Sequence, residues 1–152
     1  MALNFNQFAA EGNTFMKEYA KELGLSGDLD KAGRILTTIL HGMREMVSTE
    51  ESLQFIAQLP MFLKAVYVNG WTIKAKKDRI RSIDDFLELL RSISGVTADR
   101  DFVSDGVAQN DIYSTFTMLR QYVSSGQMED MKSQLPKQLK RLLYDHRFDS
   151  QE

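Results

Sequence analysis

The sequence predicts an all-α protein, and three observations carry that reading. Apolar residues recur at helical spacing through nearly the whole chain, and no stretch alternates with period two for long. The interruptions fall at glycines or just before Ser-x-x-acid/Gln patterns, which are signals for helix ends and helix starts.

The elements follow in order. A first helix runs through Phe5, Phe8, Phe15, Tyr19 and Leu23 and stops at Gly24. Its aromatic stripe is expected in the core, with a dimer surface as the alternative if the helix docks loosely. The clearest amphipathic stretch is the second, with Ala32, Ile35, Leu36, Ile39, Leu40 and Met43 on one face. Arg34, Thr38, His41, Arg44 and Glu45 are left for the other face. A third helix opens at Ser48-Thr-Glu-Glu51, carries Leu53, Ile56, Leu63 and Tyr67, and ends at Asn69-Gly70. A fourth opens at Ser82-Ile-Asp-Asp85, carries Ile83, Phe86, Leu87, Leu90 and Ile93, and stops at Gly95. Ile112, Phe116, Leu119 and Tyr122 mark a fifth. The sixth opens at Ser124-Ser-Gly-Gln127 and carries Met128, Met131, Leu135, Leu139 and Leu142.

The chain also matches itself. At an offset of 76, the segment 32–67 lies over 108–143 without a gap. Val47-Ser48 falls on Val123-Ser124, and Gln58-Leu59-Pro60 falls on Gln134-Leu135-Pro136, so that both prolines of the protein occupy equivalent positions. Upstream, Phe15 to Gly24 lies over Phe86 to Gly95, and the second copy has five more residues before its next helix, within 97–107. The expectation is one domain over 1–152. Repeat one covers about 4–70, a linker 71–81, repeat two about 82–144, and a polar tail 145–152. Three-helix units of about 70 residues are marginal alone. Two such units are therefore expected to share a core about a pseudo-twofold axis.

Each third helix carries its proline about ten residues in. Proline there removes a backbone hydrogen bond and clashes with the carbonyl four residues back. The expectation is a proline-kinked third helix in each unit, or a break after which Pro60 and Pro136 restart it. On the architectural reading, Gln58 or Gln134 satisfies the freed backbone group. On the functional reading, the segments Gln58-Leu59-Pro60 and Gln134-Leu135-Pro136 open a pocket or hinge between the repeats.

Composition narrows the chemistry. The absence of cysteine excludes disulfides, thiolate metal sites and a cysteine nucleophile, and it suits a reducing cytoplasm. No signal peptide or membrane span is expected. There is no nucleophile elbow and no phosphate-binding glycine loop. Only two histidines are present. His41 precedes Glu45 by one helical turn, but no third ligand clusters with them, and both His41 and His146 are read as surface residues. Acids such as Glu50-Glu51 and Glu129-Asp130 sit at helix starts, while Lys64 and Lys140-Arg141 sit toward helix ends, which macrodipole complementarity explains without catalysis. No cofactor and no catalytic or metal-binding residue is expected.

The most polarised segment is the linker. Lys74, Lys76, Lys77, Arg79 and Arg81 against Asp78 give +4, leaving −6 on the rest of a chain of net charge −2. It suits either a solvated connector or a contact for an anionic partner. Trp71, the one tryptophan, either caps the core beside the Asn69-Gly70 turn or anchors a partner.

The Leu-Pro step, then Tyr67-Val-Asn-Gly-Trp71, then Lys76-Lys-Asp-Arg-Ile-Arg81 running into Ser82-Ile-Asp-Asp-Phe-Leu87, resemble a bacterial family known as domain of unknown function 2267. The resemblance covers roughly 15–143. It implies a helical fold and brings no activity and no site residues. The chain departs from the family pattern at Thr72-Ile73, where proline is common after the tryptophan, which implies a less rigid linker.

The expectation for function is a non-enzymatic protein-interaction or scaffold module with an unidentified protein partner or a second copy of itself. The alternatives are a small-molecule pocket between the repeats, or weak binding of an anionic ligand through the linker, with nucleic acid disfavoured by the overall acidity.

Overall fold

The computed structural model describes residues 3–74 and 79–149. Among them are nine α-helices and one short 3-10 turn, with no strand. They are α1 (Phe5–Glu22), α2 (Leu29–Met46), α3 (Thr49–Gln58), α4 (Met61–Val68), α5 (Ile83–Ser94), α6 (Ala98–Asp101), α7 (Asp105–Leu119), α8 (Ser125–Ser133) and α9 (Lys137–Asp149), with the 3-10 turn at Gly95–Thr97 between α5 and α6. None is long and apolar enough to cross a membrane.

The ends of these helices follow their sequence signals. The side chains of Ser48, Ser82 and Ser124 accept from the amides of Glu51, Asp85 and Gln127, each at 3.1 Å. The predicted stops at Gly24, Gly70 and Gly95 coincide with φ of 73°, 69° and 67°. Glycine reaches this left-handed region without steric cost.

The prolines correct the expectation of a kinked third helix. Pro60 caps the start of α4 and follows an extended Leu59, with ψ of 160° and 148° at the two residues. In the second half α8 stops at Ser133 and α9 begins at Lys137, so Pro136 also lies between two helices. Of the two outcomes expected at the prolines, the kink is not found and the break is, so 53–67 and 128–142 are each helix pairs. Leu59 and Leu135 turn inward at the breaks and are buried.

One contiguous core runs from Phe15 to Leu143. Helix α2 is its spine, packing on α1, α4, α5 and α7, while α3 lies against α8. The α2–α5 crossing is close because Gly42 lacks a side chain. A Cβ there would sit 2.7 Å from Leu90 Cδ2 and 3.0 Å from Phe86 Cε1. The segment 97–107 holds α6 and supplies buried Asp101 and Phe102. Asp101 forms a bidentate pair with Arg34 of α2, both contacts at 2.9 Å.

Several faces differ from the pattern reading. Thr38 and Arg44 are buried, although the polar face of α2 was expected to meet water. The aromatic stripe of α1 divides: Phe15 and Tyr19 are buried, Phe8 is half-buried and Phe5 is 71% exposed. Leu53 is 58% exposed.

Candidate functional site

The root of the linker is built by α2 and α4. Helix α4 leaves carbonyls at its C-terminus without intrahelical partners. Arg44, reaching up from α2, donates from Nη1 to the carbonyls of Tyr67 (2.6 Å) and Asn69 (2.9 Å). Placing a cation against the negative end of a helix dipole compensates part of the cost of burying it. Burial lowers the pKa of Arg44, opposed by the nearby charge of Glu45, and the guanidinium stays charged.

Tyr67 is fully buried, its hydroxyl 2.8 Å from that of Ser52, and burial pushes its pKa up to about 12. The chain then turns at Gly70, and the Trp71 amide donates to the Val68 carbonyl. The Trp71 ring is half-buried and meets Tyr67 edge-on at 5.9 Å, with the Arg44 guanidinium carbon 6.0 Å from its centroid. Trp71 therefore packs against the core at the α4 terminus.

Beyond it, among the described residues up to Arg81, Ile80 packs against the core and the others are exposed. Thr72, Ile73 and Lys74 are exposed, Ile73 at 66%. The Lys74 ammonium lies 3.7 Å from Glu45, a pair too exposed and too long to add much. Lys76 and Lys77 lie outside the described residues. Arg79 and Arg81 are exposed, and the Arg81 amide donates to Asp85 at the start of α5.

The Gln-Leu-Pro segments work differently from the local bond expected of them. Gln58 Oε1 accepts from the amide of Ser124 at 2.7 Å, and Gln134 Oε1 accepts from the amide of Ser48 at 2.8 Å. Each glutamine thus caps a helix start in the other half of the sequence. In a capping box the third residue of the helix returns to that amide. Here the third residues, Glu51 and Gln127, instead bond to each other. The sequence signal was present in the paired motifs, but nothing local revealed that the bonds cross. Pro60 and Pro136 are half-buried.

His41 departs from the surface reading. It is half-buried, with Nε2 2.8 Å from the Val66 carbonyl, and burial lowers its pKa. That bond makes Nε2 the protonated nitrogen and ties α2 to α4. Among the described residues no group of three potential metal ligands comes together. The side chain of His146 lies outside the described set.

The second titratable group missed by the pattern is Asp111 on α7. It is 6% exposed, and its Oδ2 is buried without a hydrogen bond. Burial raises its pKa to about 7, with Lys31 opposing the shift and Asp101 adding to it. Its carbonyl accepts from Thr115 Oγ1, which lies 2.7 Å from the hydroxyl of Tyr19 on α1.

Several cavities lie among the described residues. One of about 380 Å3 lies between α1, Phe62 and Tyr122, and one of about 470 Å3 between α2 and the end of α5. A third, about 210 Å3, is lined by Arg120, Val123, Ser125, Met128, Glu129 and Lys132.

No match is found among curated proteins. A family model described as an uncharacterized conserved protein, DUF2267, matches residues 12–142. That span takes in the helical core, both Leu-Pro breaks and the Trp71 turn, and the chain belongs to the DUF2267 family.

Proposed function

We propose that the chain is a non-enzymatic protein-interaction module made of two related units, about 4–70 and 82–144, joined by a basic contact segment at 71–81. The two-unit reading is supported by the crossed pairs Gln58–Ser124 and Gln134–Ser48, which exchange under the 76-residue offset, and by the Glu51–Gln127 contact between equivalent positions. Within each unit the third helix is divided in two by its proline.

The contact reading rests on one observation. A segment of high positive charge leaves the core from a fixed point, Trp71, and presents Ile73, Lys74, Arg79 and Arg81 to solvent. Fixing one end of a short segment lowers the entropy lost when it binds. Its chemistry suits an acidic protein face with a small apolar spot for Ile73. A cysteine-free chain of this kind suits the reducing cytoplasm.

The test compares immobilised wild type with a variant carrying Lys74, Lys76, Lys77, Arg79 and Arg81 changed to glutamine, in nuclease-treated extract of the native host at moderate salt. Captured proteins are identified by mass spectrometry, and the helicity of both baits is checked by circular dichroism. The expected result is a protein retained by wild type and lost from the folded variant. Retention unaffected by the five changes refutes the linker as the contact. Analytical ultracentrifugation of both chains reads whether that partner is a second copy.

A further inference from the structure

Helix α1 carries Glu11, Phe15 and Glu18 at spacings of four and three residues, so the three share one face. Phe62, at the start of α4, and Tyr122, in the turn after α7, come up against that face. Their rings are half-buried and meet at 86° with centroids 6.1 Å apart, which makes an aromatic corner. Phe15, 2% exposed, lies behind both rings at 5.4 and 6.0 Å. Gly12 lets Phe62 approach α1 this closely, since a Cβ there would sit 3.2 Å from Phe62 Cβ. The turn that carries Tyr122 is held by its amide, which donates to the Leu119 carbonyl at 3.1 Å.

The corner opens on the cavity of about 380 Å3. Glu11 and Glu18 line it, and among the described residues no lysine, arginine or histidine does. The bond that Glu11 accepts comes from the neutral amide of Gln7, which leaves its charge in place. Burial, followed by the charges of Glu18 and Glu11, pushes the pKa of the Tyr122 hydroxyl up, so both carboxylates bear on the ring that forms the corner. Gln121, also in the lining, spends its Nε2 on the Met118 carbonyl at 3.2 Å, and the end it has left to offer is an acceptor. Ring faces and carboxylates attract the same kind of group, an organic cation.

Packing alone does not call for this arrangement. At the offsets that match the two halves, Phe15 falls on Phe86 and Glu18 on Leu89, while Phe62 falls on Gln138 and Tyr122 on Met46. There Gln138 Oε1 accepts from the Ile83 amide at 3.1 Å, and Met46 and Leu89 pack against the core. One ring stands in place of three, and a leucine in place of Glu18.

We propose that this cavity binds a small organic ammonium, seated against the rings of Phe62 and Tyr122 and held by the charges of Glu11 and Glu18. The volume lies at the lower end of the range for small-molecule sites, which suits a compact head group on a short carbon frame. This site is separate from the linker contact and stands whether or not that contact does.

The test uses the full chain at neutral pH and two probes, tetramethylammonium chloride and butylammonium chloride. Sodium chloride at matched ionic strength is the reference, and tert-butanol is a neutral probe close to tetramethylammonium in size. Binding is followed by the amide chemical shifts of Thr14, Phe62 and Tyr122. The expected result is saturable shifts with one or both ammonium probes and none with sodium chloride, and the tighter probe identifies the head group. Binding of tert-butanol is expected to be weaker by about tenfold or more. Glu11→Gln and Glu18→Gln, both at exposed positions, are each expected to weaken ammonium binding about two- to fivefold and to leave tert-butanol unaffected. Tyr122→Leu removes a ring face and is expected to weaken binding about three- to tenfold. Because Tyr122 packs on Phe15, the two glutamate variants guard against a tyrosine variant that fails to fold. Shifts that do not saturate, or that match those in sodium chloride, overturn the proposal. So does tert-butanol binding as tightly as the ammonium probes, or ammonium binding unchanged in both glutamate variants.

Discussion

Asp111 contributes to stability with a pH dependence opposite to that of an ordinary paired carboxylate. Its carboxyl is raised from 3.8 to about 7, chiefly by burial. Between these values the unfolded chain releases a proton that the folded chain retains. The contribution of Asp111 to stability is therefore greatest below about pH 4, falls as the pH rises toward 7 and levels off above it. At 1.36 kcal/mol per pH unit the full loss is up to about 4 kcal/mol. Among the nearby groups, Asp101 adds to the effect and Lys31 reduces it, while Arg34 is committed to Asp101. The depressed pKa of His41 acts oppositely, costing stability as the pH falls through the histidine range. Asp111→Asn keeps the shape and removes the titration, so the difference between the two proteins cancels His41 and isolates Asp111. Urea denaturation of both at pH 4.5, 5.5, 6.5 and 7.5 measures it. The variant should gain on wild type with each step up in pH, by roughly 2–4 kcal/mol across the series. A constant difference across the four points refutes the account.

Other expectations follow from contacts already described. Gln58→Ala and Gln134→Ala each leave a helix-start amide without its acceptor, costing about 0.5–1.5 kcal/mol by urea denaturation. Gly42→Ala forces α2 and α5 apart against Leu90 and Phe86, and should cost about 1–3 kcal/mol and lower the melting temperature. Arg44→Met strands two carbonyls at the end of α4 and frees Trp71, so tryptophan emission should shift to longer wavelength with a loss of roughly 2–3 kcal/mol.

The helices and their ends were legible because they depend on neighbours in sequence. Serine caps, glycine stops and apolar spacing act over one or two turns, and each predicted signal of this kind coincides with a helix end. The prolines were legible as a disturbance, but whether they bend or divide a helix depends on what the chain can bury at the break, and here Leu59 and Leu135 turn inward. Arg44, Thr38 and His41 read as a solvent face because periodicity does not see that another helix lies over them. The carbonyls of α4 that receive Arg44 and His41 lie more than 20 residues away. Asp111 gave no signal at all, since a lone acid on an amphipathic helix normally faces water. In the linker, the charge was plain from composition, while the seat of Trp71 required knowing that Arg44 is beside it.

The crossed glutamines bear on how the protein opens. Ser48 and Ser124 are the first links of α3 and α8, and each amide is held by a side chain from the far end of the other helix's sequence unit. Separating α3 from α8 releases both amides in one event, whichever half moves first. Native-state hydrogen exchange should therefore report one shared opening free energy for these two amides, although they stand 76 positions apart in the chain. Joined in this way, α3 and α8 behave as one cooperative body, and neither start frays at this seam while the other stays closed.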